Sequence, residues 1–312
     1  MVTIPRKKLH RRVLLVLVVA AAWVPLAIAV RGFRREYRSF EDPPQPVDAA
    51  PAHAALPNLV EVTIPNKAGA LRGWFVPGPK RAGVLVLHGC GGNRAELLPE
   101  LQTLSNAGLA ALAIDWPGSG DSAGFPSWGD EYVTSLRTAL DWFSARPEVD
   151  PARIGVYAFS MGTWIALREG VADPRVRAFA LAGAMASVVD FSVQGPHHAL
   201  LTQWSAIYAD RARGMPVGTD EPRDLVKRLS GRPILFIAGT DDQTVPLGMT
   251  RELFEKATEP KQLLVVPGSQ HGQYAKVGGA MYADRLATFF VDSLAAKSEH
   301  ASLPQPGGGS SP

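Results

Sequence analysis

Short apolar runs alternate with helix-like segments through most of the chain. Runs of Val, Leu, Ile and Ala at 83–87, 110–114, 154–158, 176–181, 234–238 and 262–266 each span five or six residues. Such runs, bounded by turn residues and lacking polar alternation, predict strands buried on both faces. Between them, 94–107, 128–144, 161–169, 247–257 and 282–294 read as helices. The helix from Trp128 is the clearest, with Tyr132, Leu136, Leu140 and Phe143 at spacings of four, four and three. Two earlier runs, 59–65 and 71–76, flank a turn at 66–69 and predict a hairpin. The pattern as a whole predicts an α/β fold, with a mostly parallel central sheet and helices on both faces.

The rhythm breaks between Gly183 and Arg232, about 50 residues without a clear strand. A structureless loop of that length is rare in a compact domain. The stretch at about 184–231 therefore predicts a small helical cap, with a helix over 200–213.

The ends differ from the middle. Residues 13–30, VLLVLVVAAAWVPLAIAV, carry no charge over 18 positions and are flanked on both sides by arginines. At 1.5 Å per residue they span about 27 Å as a helix, close to a hydrocarbon core of about 30 Å. This predicts a transmembrane anchor or signal segment within 1–40, with the following domain exported. Ala27-Ile28-Ala29 keeps open a cleaved signal and a secreted product. Residues 41–57 are rich in Pro and Ala and read as an extended linker. Residues 298–312 are polar and Gly/Pro-rich and read as a disordered tail, leaving 58–297 as the folded domain.

Charge changes this picture once. The first 40 residues hold nine Lys/Arg against one Glu, whereas the rest holds 23 Lys/Arg against 28 Asp/Glu. The net charge of +3 thus belongs to the N-terminal segment. The folded part lacks the basic surplus that nucleic-acid binding requires. A single cysteine, Cys90, excludes an internal disulfide framework and a multi-cysteine metal site.

The candidate chemistry starts at Ser160, between Ala158 and Gly162, where a strand gives way at once to a helix. A sharp strand-to-helix reversal strains the apex residue, and small neighbours two positions away relieve the crowding. The apex hydroxyl then stands beside a helix N-terminus with free N–H groups. Ala158-Phe159-Ser160-Met161-Gly162 resembles the nucleophile elbow of the α/β-hydrolases, with Ala in the first glycine position. Three further segments extend the resemblance over about 59–294. His88-Gly89-Cys90-Gly91-Gly92-Asn93 resembles the oxyanion loop. Asp115-Trp116-Pro117-Gly118-Ser119-Gly120-Asp121-Ser122 resembles the strand-to-loop segment that shapes the rim. Gly239-Thr240-Asp241-Asp242 and Gly268-Ser269-Gln270-His271-Gly272 follow the last two strands.

The resemblance implies an α/β-hydrolase fold with a short cap, and a serine hydrolase of carboxylic esters or thioesters. It implies Ser160 as nucleophile, His271 as general base and Asp242 as the acid, with Asp241 as the neighbouring alternative. It implies the N–H groups of Cys90 and Met161 as the oxyanion hole, and no metal or organic cofactor. The order Ser160, Asp242, His271 is that of the family. Phe191, Leu200, Leu201, Trp204 and Tyr208 in the cap line an acyl pocket or seal the sheet. The implied partner is a small acyl substrate, and the apolar N-terminal run suggests a lipid-like one. Activity is expected to fall as the histidine protonates. Amidase or peptidase chemistry, and an inactive membrane-attached binding module of the same fold, are the competing readings.

Overall fold

The computed structural model describes residues 23–34, 44–193, 207–212 and 214–296. Its centre is an eight-stranded sheet: β1 (Val60–Ile64), β2 (Leu71–Val76), β3 (Gly83–Leu87), β4 (Ala110–Ile114), β5 (Ile154–Phe159), β6 (Val176–Ala182), β7 (Ile234–Gly239) and β8 (Lys261–Val266). The strand order is β1-β2-β4-β3-β5-β6-β7-β8. β2 runs antiparallel to β1 and to β4, and every other pairing is parallel. The chain is an α/β protein with a mostly parallel sheet, as its apolar runs predict.

Five main helices cover the sheet: α1 (Leu98–Asn106), α2 (Asp130–Ser144), α3 (Met161–Ala172), α4 (Leu247–Lys256) and α5 (Tyr274–Ser293). Side chains of a strand alternate between faces, and the two core layers follow that alternation. Leu85 and Leu87 of β3 and Ile154, Val156 and Ala158 of β5 join the layer under α2, α3 and α4. Val84 and Val86 of β3 and Tyr157 of β5 join the opposite layer, under α1 and α5. The central strands β3, β4, β5 and β7 are buried on both sides, which is why their sequences show no polar alternation; β8, at the sheet edge, is only partly buried.

Three elements differ from expectation. The predicted helix 94–107 is a 3-10 turn, Arg94–Leu97, followed by α1. The last helix starts at Tyr274 rather than at 282 and is broken at Gly279, where φ is 51°. The Gly278-Gly279 pair hides that start, because glycine inside a helical pattern reads as an end. Within the expected linker, Ala50–Ala55 is a helix, and Ala52 and Leu56 are buried against the α1/α5 layer. Alanine favours helix, and Pro51 sits in the first turn, where a missing N–H costs nothing.

The membrane expectation is corrected. Among the described residues no helix is long and apolar enough to cross a membrane. Residues 23–34 are helical, but twelve residues rise only about 18 Å, and Arg31 and Arg34 lie among them. Residues 13–22 lie outside the described residues. The transmembrane helix, the membrane-anchored localisation and the lipid-like substrate that rested on them are therefore unsupported. The predicted tail 298–312 also lies outside the described residues. In the region read as a cap, Val188–Val193, residues 207–212 and Pro222–Leu225 are helical. Trp204 and most of the predicted helix 200–213 fall outside the described residues.

Candidate active site

Strands β3, β5, β6, β7 and β8 lie side by side and parallel. Their carboxyl ends open at one edge, where open α/β sheets bind ligands. That edge carries, in turn, the loop from His88, Ser160, Gly183, Asp242 and His271.

Ser160 is the apex between β5 and α3. Its φ of 52° and ψ of −121° lie outside the ordinary regions for a side-chain-bearing residue. The surroundings hold it there. Its N–H donates to Ala182 O at 2.9 Å, and its carbonyl accepts from Thr163 N–H at 2.9 Å and from the Thr163 hydroxyl at 2.6 Å. A methyl group on Gly162 would stand 2.8 Å from His88 O. Only glycine lets α3 start so close to β3. Met161 is the first residue of α3, so its N–H is one of the helix's unpaired terminal donors.

His271 bridges two groups from other strands. Its Nε2 is 2.9 Å from Ser160 Oγ, and its Nδ1 is 2.7 Å from Asp242 Oδ2. The serine and histidine are 111 positions apart in the chain. The imidazole also lies against the Phe159 ring, with centroids 4.7 Å apart. With Nδ1–H donating to the carboxylate, Nε2 is left to accept the serine proton.

Asp242 is buried and its oxygens are occupied. Oδ1 accepts from Thr244 N–H at 3.0 Å and Val245 N–H at 2.8 Å. Oδ2 accepts from His271 and from the Tyr274 hydroxyl at 2.6 Å. Burial alone would raise this carboxyl's pKa. The hydrogen bonds from His271, Tyr274 and Val245 outweigh it and hold the group below the usual carboxylate range. Asp241 is exposed and accepts from the Thr240 hydroxyl at 2.7 Å. Geometry thus separates the two neighbouring acids, and it is Asp242 that meets the histidine.

The loop after β3 is braced from beneath. His88 is fully buried, and burial lowers its pKa to about 4, against the hydrogen bond it makes to Gly89. The neutral ring donates from Nδ1 to Gly89 O at 2.8 Å and accepts at Nε2 from Trp116 N–H at 3.1 Å. The Gly89 carbonyl and the Cys90 N–H share one planar trans peptide and point in opposite directions. Fixing that carbonyl therefore fixes the direction of the Cys90 N–H. Cys90 itself is exposed on the loop.

Asn93 caps the 3-10 turn beyond the loop, accepting from Ala95 N–H at 2.9 Å. Arg94 is buried and pairs with Asp115 through Nη1 and with Asp121 through Nη2, the latter at 2.7 Å. Its backbone N–H donates to Asp115 Oδ1 at 2.7 Å. The Asp115–Ser122 segment thus anchors the loop below the rim.

Of the cap residues singled out, Phe191 packs on the core layer beside Trp128, ring centroids 6.5 Å apart. Tyr208 is exposed. Sequence reasoning missed Tyr274 and Phe159 as partners of Asp242 and His271. A hydrogen-bonding tyrosine three residues after the histidine was the signal available for the first.

Two family models match the chain. One is described as serine aminopeptidase, S33, and matches residues 78–230; the other is described as TAP-like protein and matches 199–300. An uncharacterized protein of Mycobacterium tuberculosis is 28% identical over 248 residues, covering 78% of this chain and 83% of the relative. The uncharacterized protein YfhR of Salmonella typhi is 27% identical over 254 residues, covering 76% and 82%. A solved esterase of Pyrococcus furiosus superposes with a TM-score of 0.67 at 20% identity, covering 80% of this chain and 97% of that one. The chain belongs to the α/β-hydrolases.

Proposed function

We propose that the protein is a serine hydrolase that cleaves carboxylic ester or thioester bonds through an acyl-enzyme. The observation that carries this reading is the hydrogen-bonded line from Ser160 Oγ through His271 to Asp242, at 2.9 and 2.7 Å.

In the proposed reaction, His271 Nε2 takes the Ser160 proton as Oγ attacks the acyl carbon. The proton passes to the leaving group as the tetrahedral intermediate collapses. Asp242 orients the imidazole and stabilises its charged form without itself taking the proton. The N–H groups of Cys90 and Met161 receive the oxyanion. Such a donor has been worth about 10²–10³ in turnover elsewhere. Water then attacks the acyl-enzyme with the histidine again as base.

The esters are preferred over amides on the strength of the esterases among the solved structures of this fold. Among them is the Pyrococcus furiosus esterase; Est1E of Butyrivibrio proteoclasticus, solved with ferulic acid bound, shares the fold at a TM-score of 0.60. The serine aminopeptidase description of the matching family model supports a second reading, cleavage of peptide amides. One panel separates the readings: p-nitrophenyl esters, an acyl thioester and an aminoacyl amide, each with wild type and Ser160→Ala. The ester reading expects ester turnover that Ser160→Ala lowers by about 10⁶. Turnover of the amide alone would replace it with the second reading. A fluorophosphonate that fails to label wild type would overturn both.

A further inference from the structure

One carboxylate at the rim is used by nothing described so far. Glu96 lies on the 3-10 turn Arg94–Leu97, immediately after the loop that carries Cys90. Its neighbours hold the turn rigidly. Arg94 and Leu97 are buried, Arg94 is paired with Asp115 and Asp121, and Asn93 caps the turn. Between these anchors Glu96 stays solvent-accessible and turns back onto the loop. A methyl group on Gly92 would overlap its carboxylate. The loop's closeness desolvates the carboxyl and raises its pKa, while the nearby His271 acts in the opposite sense.

Among the described residues no Lys, Arg or backbone N–H pairs with the Glu96 carboxylate. Its position is electrostatically costly for the proposed chemistry. A negative charge beside the loop repels the oxyanion that the Cys90 N–H would receive. A positive group on the bound substrate would offset that repulsion and give the partly desolvated carboxylate a partner.

We propose that Glu96 is a specificity-determining residue that receives a cationic group of the substrate, an ammonium or a guanidinium, beside the Ser160 site. The proposal rests on the serine-hydrolase reading and names the substrate class for it. Anionic substrates are disfavoured by the same charge.

The test compares substrates that differ only in charge, on each side of the scissile bond. On the acyl side these are the aminohexanoyl, hexanoyl and adipoyl p-nitrophenyl esters. On the alcohol side they are butyrylcholine and its uncharged dimethylbutyl isostere. With Glu96→Gln, kcat/KM for the cationic member of one series should fall about fivefold, the scale of one partly exposed ion pair. The neutral members should hold level or rise, because the charge that repels the oxyanion is gone, and the adipoyl ester should rise further. Glu96→Asp should keep part of the cationic preference. Equal changes across both series, or none, would overturn the proposal. A matched pair of fluorophosphonates, one with an ammonium tail and one without, reads the same preference as a labelling rate at Ser160. If wild type labels with the cationic probe faster and Glu96→Gln removes the difference, the proposal stands even where no ester is turned over. Equal labelling rates in wild type overturn it.

Discussion

Tyr274 and His271 meet on a single oxygen: the tyrosine hydroxyl is 2.6 Å and the imidazole Nδ1 2.7 Å from Asp242 Oδ2. The two donors share the carboxylate's charge. The tyrosine thereby limits how strongly Asp242 can hold a protonated imidazole. Tyr274→Phe removes that donor and leaves Oδ2 to the histidine alone. The acid limb of the pH–rate profile should then move to higher pH, because a more basic carboxylate stabilises the imidazolium. The loss of one positioning hydrogen bond should lower kcat about three- to tenfold, equivalent to about 1 kcal/mol. A lowered kcat with an unmoved acid limb would mean that Tyr274 only packs.

The neighbouring acids at 241 and 242 give a paired prediction. Asp242→Asn should lower kcat by about 10⁴, the size seen when a triad carboxylate becomes an amide and the wrong imidazole tautomer is favoured. Asp241→Asn, which alters only an exposed contact with Thr240, should stay within about twofold. Steady-state kinetics on one ester suffices. Comparable losses from both substitutions would contradict the assignment of the acid.

Gly183 makes room for the two side-chain partners of Asp242, Tyr274 and His271. A methyl group there would stand 2.7 Å from the Tyr274 hydroxyl and 3.0 Å from His271 Cε1, at a φ of 58°. Gly183→Ala should cost about 1–2 kcal/mol from backbone strain alone. It should also displace the imidazole and lower kcat by about 10²-fold, as an ångström-scale misplacement does. Urea unfolding and kcat measured on the same preparation separate the two effects. Unchanged activity would place the histidine elsewhere in solution.

His88 links stability to acid. Its pKa is lowered from 6.5 to about 4 in the folded chain, so below about 6.5 the unfolded chain binds the proton more readily. Its contribution is therefore lost as pH falls from about 6.5 to about 4, and the shift corresponds to about 3 kcal/mol. Buried Glu100, whose pKa is raised by burial despite hydrogen bonds from Tyr282 and Tyr157, acts in the opposite direction over part of that range. The clean comparison is with His88→Asn, whose side-chain amide can still donate to Gly89 O but does not titrate. Urea midpoints measured from pH 4 to 7 should fall more steeply with acid in wild type than in His88→Asn. Parallel slopes would show that His88 does not carry the linkage.

Much of the architecture is readable without coordinates, for a physical reason. Strands such as Gly83–Leu87 and Ala110–Ile114 are buried on both faces, so every position is apolar and the run stands out. Ser160, Asp242 and His271 each sit just after such a run, so their convergence follows from parallel strands sharing one edge. The helical start at Tyr274 is concealed by Gly278-Gly279, and the contact of its hydroxyl with Asp242 depends on tertiary distance alone. Ala50–Ala55 was hidden by composition, since Pro and Ala suit an extended linker as well as a short docked helix. The apolar segment at 13–30 shows the opposite failure. Its hydropathy suggests a span, yet the described helix from Trp23 carries arginines at 31 and 34.

The Arg94 guanidinium joins the loop that follows β3 to the loop that follows β4, reaching Asp115 and Asp121, 21 and 27 positions along the chain. That pair works as a crossbar beneath the rim. Fraying of α1, or a loop lengthened anywhere between the two strands, is absorbed on its far side. The peptide plane that would meet the reacting carbonyl keeps its bearing.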